Sequence, residues 1–132
     1  MAQTQSTTNE GYGETGKLMA GETATAYKSV VLIDTSCTAD ETQTYAGISK
    51  CTATGLGIAD ATTVESKQTT VANDTVRVNH TFTAGASATI KGFGVCNDDD
   101  DVLFALCCFN ADVALESGDT LEVDMEVQFK AD

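Results

Sequence analysis

Four consecutive aspartates, Asp98–Asp101, are the densest group of potential metal ligands in the chain. Calcium takes about six to eight oxygens from a loop that can wrap around it. Neighbouring aspartates in a tight turn point in divergent directions, and the EF-hand spacing with its central glycine is absent. Asp98, Asp99, Asp100 and Asp101 therefore read as a solvated hairpin tip and as weak calcium candidates only, with no metal or cofactor expected. The single histidine, His80, alternates with Val76, Val78 and Phe82 on one apolar face. Without an orienting carboxylate, a lone histidine there is a core or interface residue rather than a ligand or general base. Nucleophilic catalysis would need Ser or Cys beside His80 and an acid behind it. Cys51 or Cys107 could approach it in three dimensions, but no motif joins them. Dinucleotide fingerprint and P-loop are both missing. The carboxylates lie scattered at alternating positions such as Glu122, Asp124 and Glu126, not as an acid–base pair. The chain is expected not to be an enzyme.

Five cysteines (Cys37, Cys51, Cys96, Cys107, Cys108) make an odd set with no CxxC spacing. Cys107 and Cys108 adjoin in a strand, so their side chains must face opposite sides, and a bridge between them would be strained. Buried free thiols, acting as small hydrophobes, account for the set and fit synthesis in a reducing compartment. A Cys37–Cys51 bridge is the alternative.

The elements that must position these residues read as strands. From Leu121 to Lys130 every second residue is apolar (Leu121, Val123, Met125, Val127, Phe129), the pattern of a strand with one buried and one wet face. Ala26–Ile33 is apolar on both faces and reads as a central strand. Gln43–Cys51 reads as a further strand, 53–61 as a crossing loop and 62–71 as an edge strand. Ala88–Cys96 follows, interrupted by Gly92 and Gly94, which mark a bulge or a close backbone approach. Val102–Phe109 has no polar face, so it must be sandwiched or lie at a subunit interface. Leu103, Phe104, Leu106, Cys108 and Phe109 are its candidates for contact with another subunit or a partner protein. Strands at regular spacing with turn signals between them predict an all-β protein, a single antiparallel β-sandwich of jelly-roll or immunoglobulin-like type over 22–132. Residues 1–21, polar and glycine-rich, read as an extended N-terminal arm, floppy alone or ordered by a partner.

The chain has 132 residues, enough for one domain with its own core. With 20 acidic and 7 basic residues its formal net charge is -13, which repels phosphate backbones and anionic membranes. The acidity suits a soluble, self-repelling surface, or adaptation to high salt. The start of the chain has no basic residues followed by an apolar run, and no apolar stretch reaches the about 20 residues of a membrane-spanning helix. Synthesis in the cytoplasm without a secretion signal is expected.

The order of the second half resembles a family of small β-sandwich structural proteins of tailed viruses, found among head-decoration, head-fibre and tail-fibre genes. The resemblance is carried by Asn79-His80-Thr81-Phe82-Thr83-Ala84-Gly85-Ala86, Ile90, Gly92-Phe93-Gly94-Val95, the polar Asn97–Asp101 hairpin, Leu103-Phe104-Ala105 through Phe109, and Gly118-Asp119-Thr120-Leu121-Glu122-Val123 on to Phe129. It covers roughly 76–130, with a fainter echo at 45–61. The chain departs from it at Asp124-Met125 in the last strand and at the Cys107-Cys108 pair. The resemblance implies a virion surface protein that decorates the capsid, binds the major capsid protein or a neighbouring virion protein, and forms a homo-oligomer, a trimer among the arrangements allowed. It implies no catalytic residues, and on the charge no nucleic-acid or membrane partner is expected. A tail-fibre or receptor-binding module, or a non-viral extracellular binding domain, is the alternative.

Overall fold

Strands form where β-branched and aromatic side chains cluster or alternate, because these fit a pleated surface. The computed structural model describes residues 3–130, leaving Met1 and Ala2 of the expected arm outside the described residues. In chain order its elements are β1 (Gln3–Thr7), α1 (Asn9–Ala20), β2 (Tyr27–Ile33), β3 (Ala59–Asp60), β4 (Thr63–Lys67), β5 (Thr75–Thr83), β6 (Ala88–Asn97), β7 (Leu103–Leu115) and β8 (Thr120–Gln128). One antiparallel sheet runs β1-β7-β6-β2-β3 and a second runs β4-β5-β8. They pack face to face as an all-β sandwich with one short helix.

The larger sheet is covered on both faces. Its inner face sends Val30, Leu32, Phe93 and Val95 against Val78, Phe82, Val123 and Met125 of the smaller sheet. Its other face carries Val31, Ile33, Cys96, Leu103 and Leu106, covered by Cys37, Tyr45 and Ile48 from the long connection between β2 and β3. This explains why β2 and the first half of β7 lack a polar face. The smaller sheet keeps one wet face: Glu122, Asp124 and Glu126 are exposed while Val123 and Met125 are buried. That is the alternation read from the sequence.

In β7 the facing of residues differs from simple alternation. Val95 pairs with Ala105 but Cys96 pairs with Leu103, so Phe104 is the extra residue of a bulge. Phe104 thereby joins the main core, and Leu103 and Leu106 share the other face.

Gln43–Cys51, expected to be a strand, is turn and loop, with a single bridge from Lys50 to Ile33. Several backbone groups in and just before it are satisfied locally: Gln43 N donates to Asp40 O, Gly47 N and Ile48 N donate to Thr44 O, and the Asp40 carboxylate accepts from Thr42 N. Turn chemistry of Asp and Thr here outcompetes the strand pattern. The larger correction concerns the expected arm, because the described residues 3–21 fold onto the domain. Gln3–Thr7 pairs with Thr7 opposite Ala105 and Gln3 opposite Phe109. Thr8 caps α1, accepting from Gly11 N and donating to Leu103 O, and Gly21 ends it in the left-handed conformation at φ 74°.

Candidate functional site

The aspartate hairpin is organised by the residue before it. Asn97 is 1% exposed, and all four of its side-chain hydrogen-bonding positions are used. Its Nδ2 donates to Glu14 Oε2 at 2.9 Å and to Asp101 Oδ1 at 2.7 Å, while its Oδ1 accepts from Asp101 N and Val102 N, each at 3.0 Å. Asp98, Asp99, Asp100 and Asp101 are exposed, Asp100 with φ 57°. Among the described residues, no three His, Cys, Asp or Glu side chains converge as a metal site would require. Asn97 thereby ties α1, through Glu14, to the turn between β6 and β7.

His80 Nδ1 lies 3.0 Å from Thr62 Oγ1, and its ring meets Phe82 edge-on at a centroid distance of 4.6 Å. Neither Cys51 nor Cys107 is its hydrogen-bond partner; Cys107 Sγ instead donates to Gln3 Oε1 at 3.3 Å. Cys107 and Cys108 do face opposite sides, as their adjacency requires. The reading of five free thiols holds for Cys51, Cys96 and Cys107 only, because Cys37 and Cys108 form a disulfide. The Cys37–Cys51 alternative does not form. Gly92 makes room for the bridge: a Cβ there would stand 2.4 Å from Cys107 O and 2.6 Å from Cys37 Sγ. Burial pushes the Cys96 thiol up to about 12 and also raises Cys107, which makes both poor nucleophiles at neutral pH.

The candidate contact residues of β7 are largely covered by the chain itself. Leu103, Leu106 and Cys108 are buried under the β2–β3 connection, and Phe104 stacks on Tyr27 at 4.2 Å. Phe109 is half-buried, 6.1 Å from Phe93. Their apolar character is explained by the two core layers, Phe104 and Phe109 packing in the main one and Leu103, Leu106 and Cys108 in the other.

The helix α1 is amphipathic in an unusual sense. Its inward side carries the acids: Glu14, 8% exposed, accepts from Asn97, and Glu10 Oε2 accepts from Leu103 N at 2.7 Å and Tyr45 N at 2.9 Å. Gly11 faces β7 so closely that a Cβ would meet Phe104 Cα at 2.7 Å. The outward side holds Tyr12 at 56% and Met19 at 84% exposure, with Gly13, Gly16 and Ala20 between them and Lys17 its one charge. No sequence signal revealed this inversion, because it depends on which helical face meets the sandwich.

The sheet margins form the remaining relief. A groove of about 290 Å³ opens between β1 and β8, lined by Gln5, Thr7, Leu106, Met125 and Val127 among others. The wet face of the smaller sheet is laced with ion pairs, Arg77 to Asp124 at 2.8 Å and to Glu65 at 3.1 Å, and Lys67 to Glu126 at 2.6 Å. The two carboxylates around Arg77 raise its already high pKa further. No protein-family model, no curated protein and no solved structure matches this chain.

Proposed function

We propose that the chain is a non-enzymatic virion structural protein, a decoration protein seated on the outer surface of a tailed-virus head. The observation that carries this reading is the inverted helix. A surface helix normally buries apolar residues and exposes charged ones. In α1 the two carboxylates face inward and Tyr12, Gly13, Gly16 and Met19 face out. Each interior glycine lowers helix stability by about 1 kcal/mol relative to alanine. Among the described residues, nothing beyond the helix's own backbone and the adjoining residues lies within 4 Å of where a Cβ at Gly13 or Gly16 would stand, so internal packing gives no reason for either. Close approach by a partner backbone does, and in this reading the partner is the major capsid protein or a neighbouring virion protein.

Two further features agree with it. The Cys37–Cys108 bridge suits a protein that works outside the reducing cytosol in which it was made. The acidic outer face of the β4-β5-β8 sheet would point to solvent, where it repels both nucleic acid and anionic membranes. The test is imaging and mass spectrometry of particles of the virus that encodes the chain, with wild type and a Gly16→Lys/Met19→Lys variant. The wild type is expected on the head exterior in symmetric copies, and the folded variant is expected to be missing from it. Absence of the wild type from particles overturns the reading, and a location on the tail alone transfers it to the fibre class.

A further inference from the structure

A sandwich of this kind has four sheet margins, and three are protected against strand addition. β3 is only two residues long; β4 carries Glu65 and Lys67; β8 carries Glu122, Asp124 and Glu126. Short strands and charges are the usual means of blocking edge-to-edge pairing. β1 has neither protection. Its five residues, Gln3-Thr4-Gln5-Ser6-Thr7, contain no charge, no proline and no glycine, and among the described residues it pairs on one side only, with β7.

We infer that β1 is the self-association edge of this protein, pairing antiparallel with β1 of a second copy to continue the five-stranded sheet across a two-fold axis. The sequence of the strand is self-complementary about Gln5: Gln5 meets Gln5, Thr4 meets Ser6 and Gln3 meets Thr7, all neutral hydrogen-bonding pairs. The same operation on β8 about Asp124 would set Asp124 against Asp124 and Glu122 against Glu126, pairs that repel. The groove between β1 and β8 leaves room for the inward side chains of an added strand, next to Met125 and Val127. Charge favours the same choice of edge. Two chains of formal charge -13 repel one another, so they meet most easily where neither carries charge. A two-fold contact is closed by two copies, which makes the unit a dimer and not a trimer. A five-residue ladder is a small interface, so association belongs in the weak range and should strengthen with salt as screening shortens from about 10 Å at 0.1 M to about 3 Å at 1 M. None of this depends on the capsid reading.

The test is sedimentation equilibrium of the full chain up to several hundred micromolar at low and high salt, with the variants Gln5→Lys and Gln5→Glu. Wild type should dimerise, more tightly by on the order of tenfold at 1 M salt. Each variant alone should be monomeric, because it places like charges opposite each other on the axis, and an equimolar mixture of the two should recover the dimer. A wild type that stays monomeric at 1 M salt, a trimer, variants that dimerise like wild type, or a mixture that stays monomeric would each overturn the inference. Circular dichroism of each variant verifies the fold, and should one fail to fold, the other alone still decides between monomer and dimer.

Discussion

Replacing Cys37 and Cys108 together with alanine removes a cross-link between residues 71 positions apart. In the chain-entropy description, opening a loop of that size frees the unfolded chain by about 4 kcal/mol at room temperature. The unfolding entropy of a chain this long is roughly 0.28 kcal/mol/K, so the melting temperature should fall by about 15 °C. The structure argues against much smaller values. Cys37 anchors the β2–β3 connection over Val31, Ile33, Leu103 and Leu106, and loosening it exposes that second core layer. The measurement is calorimetry of the oxidised wild type, the wild type with a phosphine reductant, and the double variant. Reduced wild type and variant should melt together, well below the oxidised protein. A double variant within about 3 °C of the oxidised wild type would refute the argument, since that shift corresponds to only about 1 kcal/mol. Finding five alkylatable thiols in the unreduced, denatured wild type would remove its premise.

The hairpin and the β4–β5 turn give two more expectations. Asn97→Ala strips four hydrogen bonds from a buried site and leaves Glu14 with only the long 3.4 Å bond from Thr25 N, so it should cost about 2 to 3 kcal/mol in urea unfolding; a cost under about 0.5 kcal/mol would show that water replaces the side chain freely. The Asp74 carboxylate is held well below the usual carboxylate range, chiefly by the backbone N–H of Thr69 against the opposing effect of desolvation, then by those of Thr70 and Val71 and by Gln128. A depressed folded-state pKa stabilises the fold above the unfolded value, about 3.9, and that contribution is lost as pH falls through the folded value. Amide exchange at Thr69–Val71, corrected for its intrinsic pH dependence, should therefore quicken below about pH 4 in wild type and lack this transition in Asp74→Asn; indistinguishable profiles would contradict the assignment.

Much of the architecture was legible from side-chain patterns alone. The alternation from Leu121 identified β8 with its buried face as far as Val127, although the strand ends at Gln128 and Phe129 is 49% exposed, and the two-sided apolar runs at Val30–Ile33 and Val102–Phe109 identified strands covered on both sides. Gly92 was recognisable as a place of close approach, though not as the space occupied by a disulfide. Strands of this kind are legible because alternation is local and each face meets a different environment. The contact residues proposed on β7 were less secure for a related reason: an apolar face announces burial without saying whether the cover is a partner or the chain's own β2–β3 connection.

What the sequence by itself determined is the all-β class, the position of the longer strands, the wet face of the last one and the acidity of the surface. Tertiary structure decided the rest. Asn9–Ala20 contains three glycines and has little helix propensity, yet it is helical because Thr8 and Glu10 reach groups of β7 nearly a hundred residues away and Gly11 seats the helix against Phe104. The pairing of Cys37 with Cys108 likewise could not be read from spacing, since it follows from a loop folding back over a sheet. Both depend on contacts between segments distant in sequence, and local preferences cannot encode which distant groups will arrive.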